Sequence, residues 1–271
     1  MKKQFKLGII GCGFMAKSII KGICESEYIK NRKLIVSDTS HDKLNAVADE
    51  YGINVTDDNR YLAENSEYIL FAVKPQNFAD VAKEIEGVNP EKVISIMAGV
   101  KKATIKNTLG VGLIKVARCM PNLPCSVGCG MMGVDMSDYD KNTDDIEFIY
   151  HLFNCLGSVL SISEDKLDAV TGISGSGPAY AFIFIDSLID AGVKQGLTKD
   201  EAKLLAIQTV FGSCQLLMET EKPLSELIMS VCSKGGTTIE AVKVFEENNF
   251  RCIVSDAVAA CVKRSKELSQ N

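Results

Sequence analysis

Five short runs in the first 120 residues are apolar at consecutive rather than alternate positions, and this constrains the fold more than any other feature. They cover 6–10, 34–37, 68–72, 93–96 and 113–118, are rich in Val, Ile and Leu, and are bounded by Gly, Pro or polar residues. A strand that is apolar on both faces must be covered on both, which is the condition of a parallel sheet between two layers of helix. The intervening stretches 14–26, 41–51, 76–85 and 103–109 carry amphipathic helical patterns. Repeated strand–helix units predict an α/β fold with a doubly wound parallel sheet. A strand at 128–133, a helix at 143–155 and a strand at 158–161 close this half, which gives a first domain over 1–162.

Beyond residue 163 the strand-like runs give way to long helical patterns at 165–171, 178–194, 199–220, 224–231, 237–246 and 250–268. Pro178 stands where a first-turn proline is tolerated, and Pro223 separates two helices. The helix at 178–194 (PAYAFIFIDSLIDAGVK) is apolar nearly all round, so it has to be buried on most sides. A helical unit of about 100 residues buries little of its own surface. A second, all-helical domain over 163–271, paired with a second copy of the chain, is therefore expected.

Charge and composition exclude several classes of function. The chain carries 30 basic and 35 acidic residues, net −5, and no Trp. That balance lacks the basic face a nucleic-acid partner requires, and gives no aromatic platform for single strands. No apolar run has bilayer length; the best stretch, 179–193, contains Asp186 and Asp190. The opening MKKQFKLGII is basic and then apolar, but it lacks a small-residue cleavage site and runs straight into a glycine turn. It reads as a first strand, with a cytoplasmic protein expected. The ten cysteines form no Cys-x-x-Cys pair, and the only histidines are His41 and His151. Small reduced hydrophobes fit them better than a zinc site or a disulfide framework, and no metal is expected.

Five motifs remain that could carry chemistry. Gly11-Cys12-Gly13-Phe14-Met15-Ala16 follows the first strand and opens a helix. Gly11 permits the tight turn, Gly13 lets the backbone approach a pyrophosphate, and Ala16 lets the helix pack on the strand. Free N–H groups and the positive end of the helix dipole would then hold the phosphates. An acidic residue, Asp38, ends the next strand. A carboxylate there accepts from a ribose 2′-hydroxyl and repels a 2′-phosphate, favouring NADH, although Ser37, Lys43 and Arg60 lie close in sequence or pattern. The alternative for Asp38 is a turn residue leading into the next helix. The segments 72–75 (AVKP) and 96–100 (IMAGV) end two further strands, where ligands bind in this architecture. The glycine-rich 170–180 (VTGISGSGPAY) reads equally as an anion site or as an inter-domain hinge. Finally, 233–238 (SKGGTT) precedes a helix; exposed backbone donors and two hydroxyls there suit a small carboxylate, or the threonines simply cap the helix.

The pieces ARCMPNLP (117–124), VTGISGSGPAYAF (170–182) and SKGGTTIEAVKVFE (233–246) resemble pyrroline-5-carboxylate reductases, in order and spacing, across essentially the whole chain. The resemblance implies an N-terminal Rossmann domain and an all-helical C-terminal dimerisation domain, with dimers that assemble further into decamers. It implies reduction of 1-pyrroline-5-carboxylate to L-proline, the last step of proline biosynthesis, with NADPH or NADH. Cofactor contacts carry over to Ile10, Gly11, Cys12, Gly13, Phe14 and Met15 at the pyrophosphate, and to Ser37 and Asp38 at the adenosine ribose. Asn59 falls on the adenine side, and Ala72, Val73, Lys74, Pro75, Ile96, Met97 and Ala98 run towards the nicotinamide. Ser233, Gly235, Gly236, Thr237 and Thr238 carry over as the substrate loop, Thr238 hydrogen-bonding the ring nitrogen as the catalytic contact. A cyclic imine accepts hydride readily once its nitrogen is protonated, so no catalytic triad, carboxylate pair or metal is needed. A β-hydroxyacid dehydrogenase would need a proton acceptor such as a lysine on the helix after the glycine-rich motif, and none precedes Lys194. A dinucleotide sensor without turnover would have no use for a second anion site.

Overall fold

A computed structural model describes residues 3–110, 112–140 and 143–269; Met1 and Lys2 of the basic opening segment lie outside the described residues. The strands are β1 (Phe5–Ile10), β2 (Leu34–Ser37), β3 (Asn54–Thr56), β4 (Ser66–Phe71), β5 (Lys92–Ser95), β6 (Lys115–Met120), β7 (Gly130–Asp135) and β8 (Gly157–Ser161). They form one sheet in the order β3-β2-β1-β4-β5-β6-β7-β8. The helices are α1 (Phe14–Ser26), α2 (His41–Tyr51), α3 (Asn59–Asn65), α4 (Phe78–Glu84), α5 (Lys102–Leu109), α6 (Asp144–Asn154), α7 (Leu167–Val170), α8 (Gly177–Lys194), α9 (Lys199–Glu219), α10 (Leu224–Ser230), α11 (Thr237–Glu247) and α12 (Phe250–Leu268).

The consecutive apolar pattern has the meaning expected of it. Along β2, Leu34 and Val36 enter the core on one face of the sheet and Ile35 the core on the other. Along β4, Tyr68 and Leu70 face one core, Ile69 and Phe71 the other. The first core includes Ile19, Ile20 and Ile23 of α1 with Ile149, Leu152 and Phe153 of α6. The second includes Leu62 of α3, Phe78 and Val81 of α4 and Ile105 of α5. The order reverses between β1 and β4, and a crevice at the carboxyl ends of these strands follows from the topology.

Three features depart from the expected layout. β3 and α3 were not anticipated. β3 is a three-residue edge strand of partly buried residues, and α3 buries only Leu62 and Ala63, so neither carries a readable apolar period. β7 pairs antiparallel with β6, and β8 runs with β7, so only the first six strands are mutually parallel. Nine residues, 121–129, join β6 to β7 with no more than a short helical turn at Leu123–Val127, too little for a parallel crossover. The glycine-rich 171–175 is wound as a wide helical turn continuing α7, closed by the Ser176 N–H donating to Thr171 O (2.8 Å), rather than being an open hinge loop.

The compact units divide at Ser176, beyond the 162/163 boundary read from the sequence. One unit runs to Ser176 and takes back the chain from Cys261; the other is Gly177–Ala260. Residues 164–176 belong with the sheet: a Cβ on Gly133 would lie 2.8 Å from Val170 Cγ1, and Asn122 donates to Ser174 O (3.2 Å). In the second unit, α9 starts with a reciprocal capping box between Thr198 and Glu201 and packs on α8, where a Cβ on Gly192 would lie 3.0 Å from Ala202 Cβ. No residue of α8 is buried within the single chain. Phe182 is 56% exposed, Ile183 67%, Leu204 71% and Phe211 60%. The burial that the composition of α8 demands thus has to come from outside the chain. Among the cysteines, Cys12, Cys119 and Cys125 are buried and their thiols pushed up by that burial, whereas Cys129, Cys214 and Cys252 are exposed; all ten are free. His41 and His151 are both exposed. No helix among the described residues is long and apolar enough to cross a membrane.

Candidate active site

Three strand ends are pinned to one another at the glycine turn. The Gly11 N–H donates to Ser37 O (2.7 Å) and the Ala72 N–H donates to Ile10 O (2.9 Å), so the ends of β1, β2 and β4 meet. Gly11 adopts φ +102°, and a Cβ there would stand 2.8 Å from Ala72 O. Gly13 is the cap of α1 and offers no side-chain hydrogen bond; a Cβ on it would meet nothing within 4 Å. A cleft of about 430 Å³ opens beside this turn, lined by Ile10, Gly11, Gly13, Ser37, Asp38, Thr39, Lys43, Asn59, Ala72, Val73, Lys74, Asn77, Asp80, Val81 and Glu84.

Of the residues expected to hold a dinucleotide, Ile10, Gly11, Gly13, Ser37, Asp38, Asn59, Ala72, Val73 and Lys74 come together in this cleft. Cys12 does not offer itself to a ligand: its side chain is fully buried, and its N–H donates to Asp38 Oδ2 (2.8 Å). Phe14 and Met15 open α1 beside it. Pro75 starts a single helical turn, Pro75–Asn77, after β4. Ile96, Met97 and Ala98 follow β5 outside the cleft lining; the Ile96 N–H donates to Phe71 O (3.2 Å), which puts them beside the end of β4. Arg60 is turned away: it donates to Glu86 O (2.7 Å) and pairs with Glu64.

The polar side chains of the lining hydrogen-bond to one another and to the backbone. The Ser37 hydroxyl donates to Asn59 Oδ1 (2.5 Å), and the Asn59 amide donates to Glu84 Oε2. Asp38 accepts from Cys12 N–H, from Ser40 N–H (2.9 Å) and from Lys43 Nζ (3.2 Å). Burial would raise its pKa, but the two backbone donors and Lys43 hold the carboxyl below the usual carboxylate range. Thr39, Asn77, Asp80, Val81 and Glu84 were not anticipated. Their signal was positional only, since they lie just past β2 or on the turn and helix after β4.

Gly13 is the test of whether a dinucleotide fits. The uncapped start of α1 and the open space where its Cβ would be leave backbone donors on the cleft wall, as a pyrophosphate requires.

The second anion motif lies in the other compact unit. Gly235 adopts φ +72°, the Gly236 N–H donates to Ser233 O (3.0 Å), and a Cβ on Gly236 would collide with the Ser233 hydroxyl. Gly236 is the cap of α11, so Thr237 and Thr238 are its first helical residues and neither caps it. Simple capping by threonine is therefore not the purpose of this motif.

A family model described as pyrroline-5-carboxylate reductase dimerisation matches residues 164–268, and one described as NADP oxidoreductase, coenzyme F420-dependent, matches 6–99. The pyrroline-5-carboxylate reductase of Escherichia coli (strain K12) is 37% identical over 268 residues, covering 98% of this chain and 99% of the relative. The chain belongs to the pyrroline-5-carboxylate reductase family. The enzyme of Arabidopsis thaliana is 35% identical, covering 99% of this chain and 97% of its own. Among solved structures, a pyrroline-5-carboxylate reductase from Coxiella burnetii superposes with a TM-score of 0.90 at 36% identity, covering all of both chains. A Plasmodium falciparum pyrroline carboxylate reductase with NADP bound gives 0.87 at 32%, covering 99% of this chain and 100% of that one. Membership in the pyrroline-5-carboxylate reductase family makes the chain an NAD(P)H-dependent oxidoreductase and a homo-oligomer. The dimerisation match spans the helices whose apolar surface stands exposed in the single chain.

Proposed function

We propose that the protein reduces 1-pyrroline-5-carboxylate to L-proline, and that residues 10–11, 13–15, 37–38, 59, 72–75 and 96–98 hold NADPH or NADH, with Cys12 only shaping the turn between them, while 233–238 hold the substrate. Two observations carry this reading: an uncapped helix start lines a cleft of dinucleotide-fold position, and a separate glycine turn has threonines that are not used as caps. When bound, the nicotinamide supplies the hydride. The protein's part is to bind and orient. N–H groups at the starts of α1 and α11 take the pyrophosphate and the substrate carboxylate respectively. Thr238 hydrogen-bonds the ring nitrogen and fixes the imine carbon for attack, so its effect falls on positioning. The work divides between dinucleotide binding by residues 1–162 and substrate binding and dimerisation by residues 163–271, of which 164–176 pack on the sheet, acting in the cytoplasm.

Mixing the protein with pyrroline-5-carboxylate and NADPH or NADH should consume the reduced nicotinamide and form proline. Turnover only with a hydroxy acid, or nucleotide binding without turnover, overturns the reading. Thr238→Ala should lower kcat about 10- to 100-fold, the worth of one hydrogen bond to a charged group, with cofactor affinity unchanged. Equal activity removes Thr238 from the mechanism. The oligomer is built from dimers that associate into decamers. The mass in solution should therefore be an even multiple of the 29.4 kDa chain, and Phe211→Glu on the exposed face of α9 should reduce it. A stable wild-type monomer would reject this assembly.

A further inference from the structure

We propose that the last two turns of α12 are a backstop for the nicotinamide end of the cofactor, with Ser265 and Leu268 as positioning residues that set the turn after β5. The inference rests on the reading of 96–98 as cofactor contacts. Residues 97–100 form that turn and are weakly held by their own backbone. Ile96 is fixed by its N–H donating to Phe71 O (3.2 Å) and Met97 by its N–H donating to the Ser95 hydroxyl (3.2 Å). On the far side, the Lys102 N–H donates to Glu164 Oε1 (2.7 Å). Between these anchors the one backbone hydrogen bond among the described residues runs from Val100 N–H to Met97 O, at 3.5 Å. That is longer than the ordinary N–H···O range, so the turn takes its support from elsewhere. Met97 and Gly99 are buried, and Ala98 between them is exposed and open to a ligand.

The support is the end of α12. Gly99 adopts φ +77°, and a Cβ there would stand 3.3 Å from Leu268 C and O and 3.4 Å from Leu268 Cβ. The turn therefore lies backbone to backbone on the helix. Cys261, Ser265 and Leu268 follow one another at intervals of about a turn and share one stripe of α12. Cys261 Sγ lies 3.1 Å from the Ser176 hydroxyl, and the Ser265 hydroxyl donates to Asp168 Oδ1 at 2.6 Å. Ser265 is the one buried residue of α12. Its acceptor is on α7, which is itself fixed to the sheet unit by the buried Leu167 and by Val170 against Gly133. The Ser265–Asp168 hydrogen bond thus holds the stripe, and Leu268 carries that position to Gly99. Without the bond the wall behind Gly99 is free to shift. A shift of about 1 Å at the hydride donor costs about 100-fold in rate. The adenosine end of the cofactor, which belongs at the ends of β1 and β2, is left as it was.

The experiment compares the full-length wild type with Ser265→Ala, Asp168→Ala, Asp168→Asn and Gly99→Ala. Three quantities are read: kcat, the primary isotope effect with the reduced cofactor deuterated at C4, and the affinities of NADH and of ADP-ribose, which lacks the nicotinamide (or of their 2′-phosphorylated forms). Ser265→Ala and Asp168→Ala should lower kcat about 10- to 100-fold and raise the isotope effect towards its intrinsic value. NADH should bind about threefold more weakly or worse, with ADP-ribose within about twofold of the wild type. Asp168→Asn keeps an oxygen that accepts from the Ser265 hydroxyl, so its kcat should stay within about threefold of the wild type. Gly99→Ala sets a methyl group between the turn and Leu268 and should repeat the loss of kcat with the Ser265–Asp168 bond intact. A lowered melting temperature with kcat, isotope effect and NADH-to-ADP-ribose ratio all unchanged overturns the proposal, since the contact would then only hold the helix. So does loss of ADP-ribose in step with NADH, or an Asp168→Asn chain as impaired as Asp168→Ala. A wild type that binds NADH without reducing the imine defeats the assigned reaction alone, and the NADH-to-ADP-ribose ratio still decides this inference. One that binds neither nucleotide defeats both.

Discussion

A Gly11→Val chain is expected to bind NADPH and NADH at least about 100-fold more weakly than the wild type and to melt at a lower temperature. Two costs combine. At φ +102° a branched residue is strained, typically by about 1–3 kcal/mol. The added Cβ would also stand 2.8 Å from Ala72 O and 3.1 Å from Val73 Cγ1, both on residues of the cleft wall. Relief by moving Ala72 is blocked, because its N–H is bonded to Ile10 O and the Gly11 N–H to Ser37 O. The strain therefore has to open the cleft or unpin the strand ends, and either loses the phosphate contacts. Gly13→Ala is the internal control. A Cβ there meets nothing within 4 Å and the backbone is extended, so the melting temperature should hold while affinity falls, since only a bound pyrophosphate would feel the methyl group. Nucleotide titration with thermal melting of both variants checks this. Unchanged affinity in Gly11→Val would sink the account of the turn.

The sheet and its helices were legible in the sequence because β1, β2, β4, β5 and β6 are buried on both faces, and continuous apolar runs have few other uses. β3 and α3 were not, because an edge strand of three half-buried residues and a helix with two buried residues leave no period to read. The reversal at β7 depends on the length of the link after β6, and a strand's direction leaves no mark in its own residues. In the site, glycines announced themselves: Gly11, Gly235 and Gly236 stand where a side chain would collide or strain. Asp38 was legible as a position but not as a role. Whether a carboxylate faces a ligand or the backbone depends on the turn that Cys12 and Ser40 make around it, and these come from separate parts of the chain. Lys43 and Arg60 are equally plausible in sequence; α2 brings Lys43 back to that carboxylate, while Arg60 is taken by a backbone carbonyl.

Lys102→Met should cost about 3–5 kcal/mol of stability at neutral pH, the range for removing one partner of a buried ion pair. Lys102 starts α5, is 8% exposed, and donates to Asp135 Oδ1 (2.6 Å), the Ser137 hydroxyl (2.7 Å) and Asp138 Oδ1 (3.0 Å). Its own N–H donates to Glu164 Oε1 (2.7 Å), the Glu164 N–H donates to Asp135 Oδ2 (2.8 Å), and Arg118 pairs with Glu164. The cluster thereby ties α5, β6 and β7 to Glu164, where the dimerisation match begins. Burial would raise the Asp135 and Asp138 carboxyls, but Lys102, with Ser137 for Asp135 and Lys106 for Asp138, holds both below the usual range. Burial would lower Lys102, but the two aspartates raise it. Carboxylates depressed in the folded state give stability that is full above their unfolded values near 4 and is lost as pH falls through the folded ones. A raised lysine gives stability that is full below its unfolded value near 10.4 and is lost as pH rises through the folded one. The wild type should therefore be steady from about pH 5 to 10 in this contribution. In the variant, Asp135 keeps its burial and loses its cation, so it is relieved by taking up a proton. The deficit should then shrink on acidification, and urea unfolding at neutral pH and near pH 4.5 measures it. A deficit below about 1 kcal/mol, or one independent of pH, would mean that Ser137, Lys106 and the backbone donors suffice to hold these carboxylates. The tie between the sheet and the segment 164–176 would then rest on packing around Val170 instead.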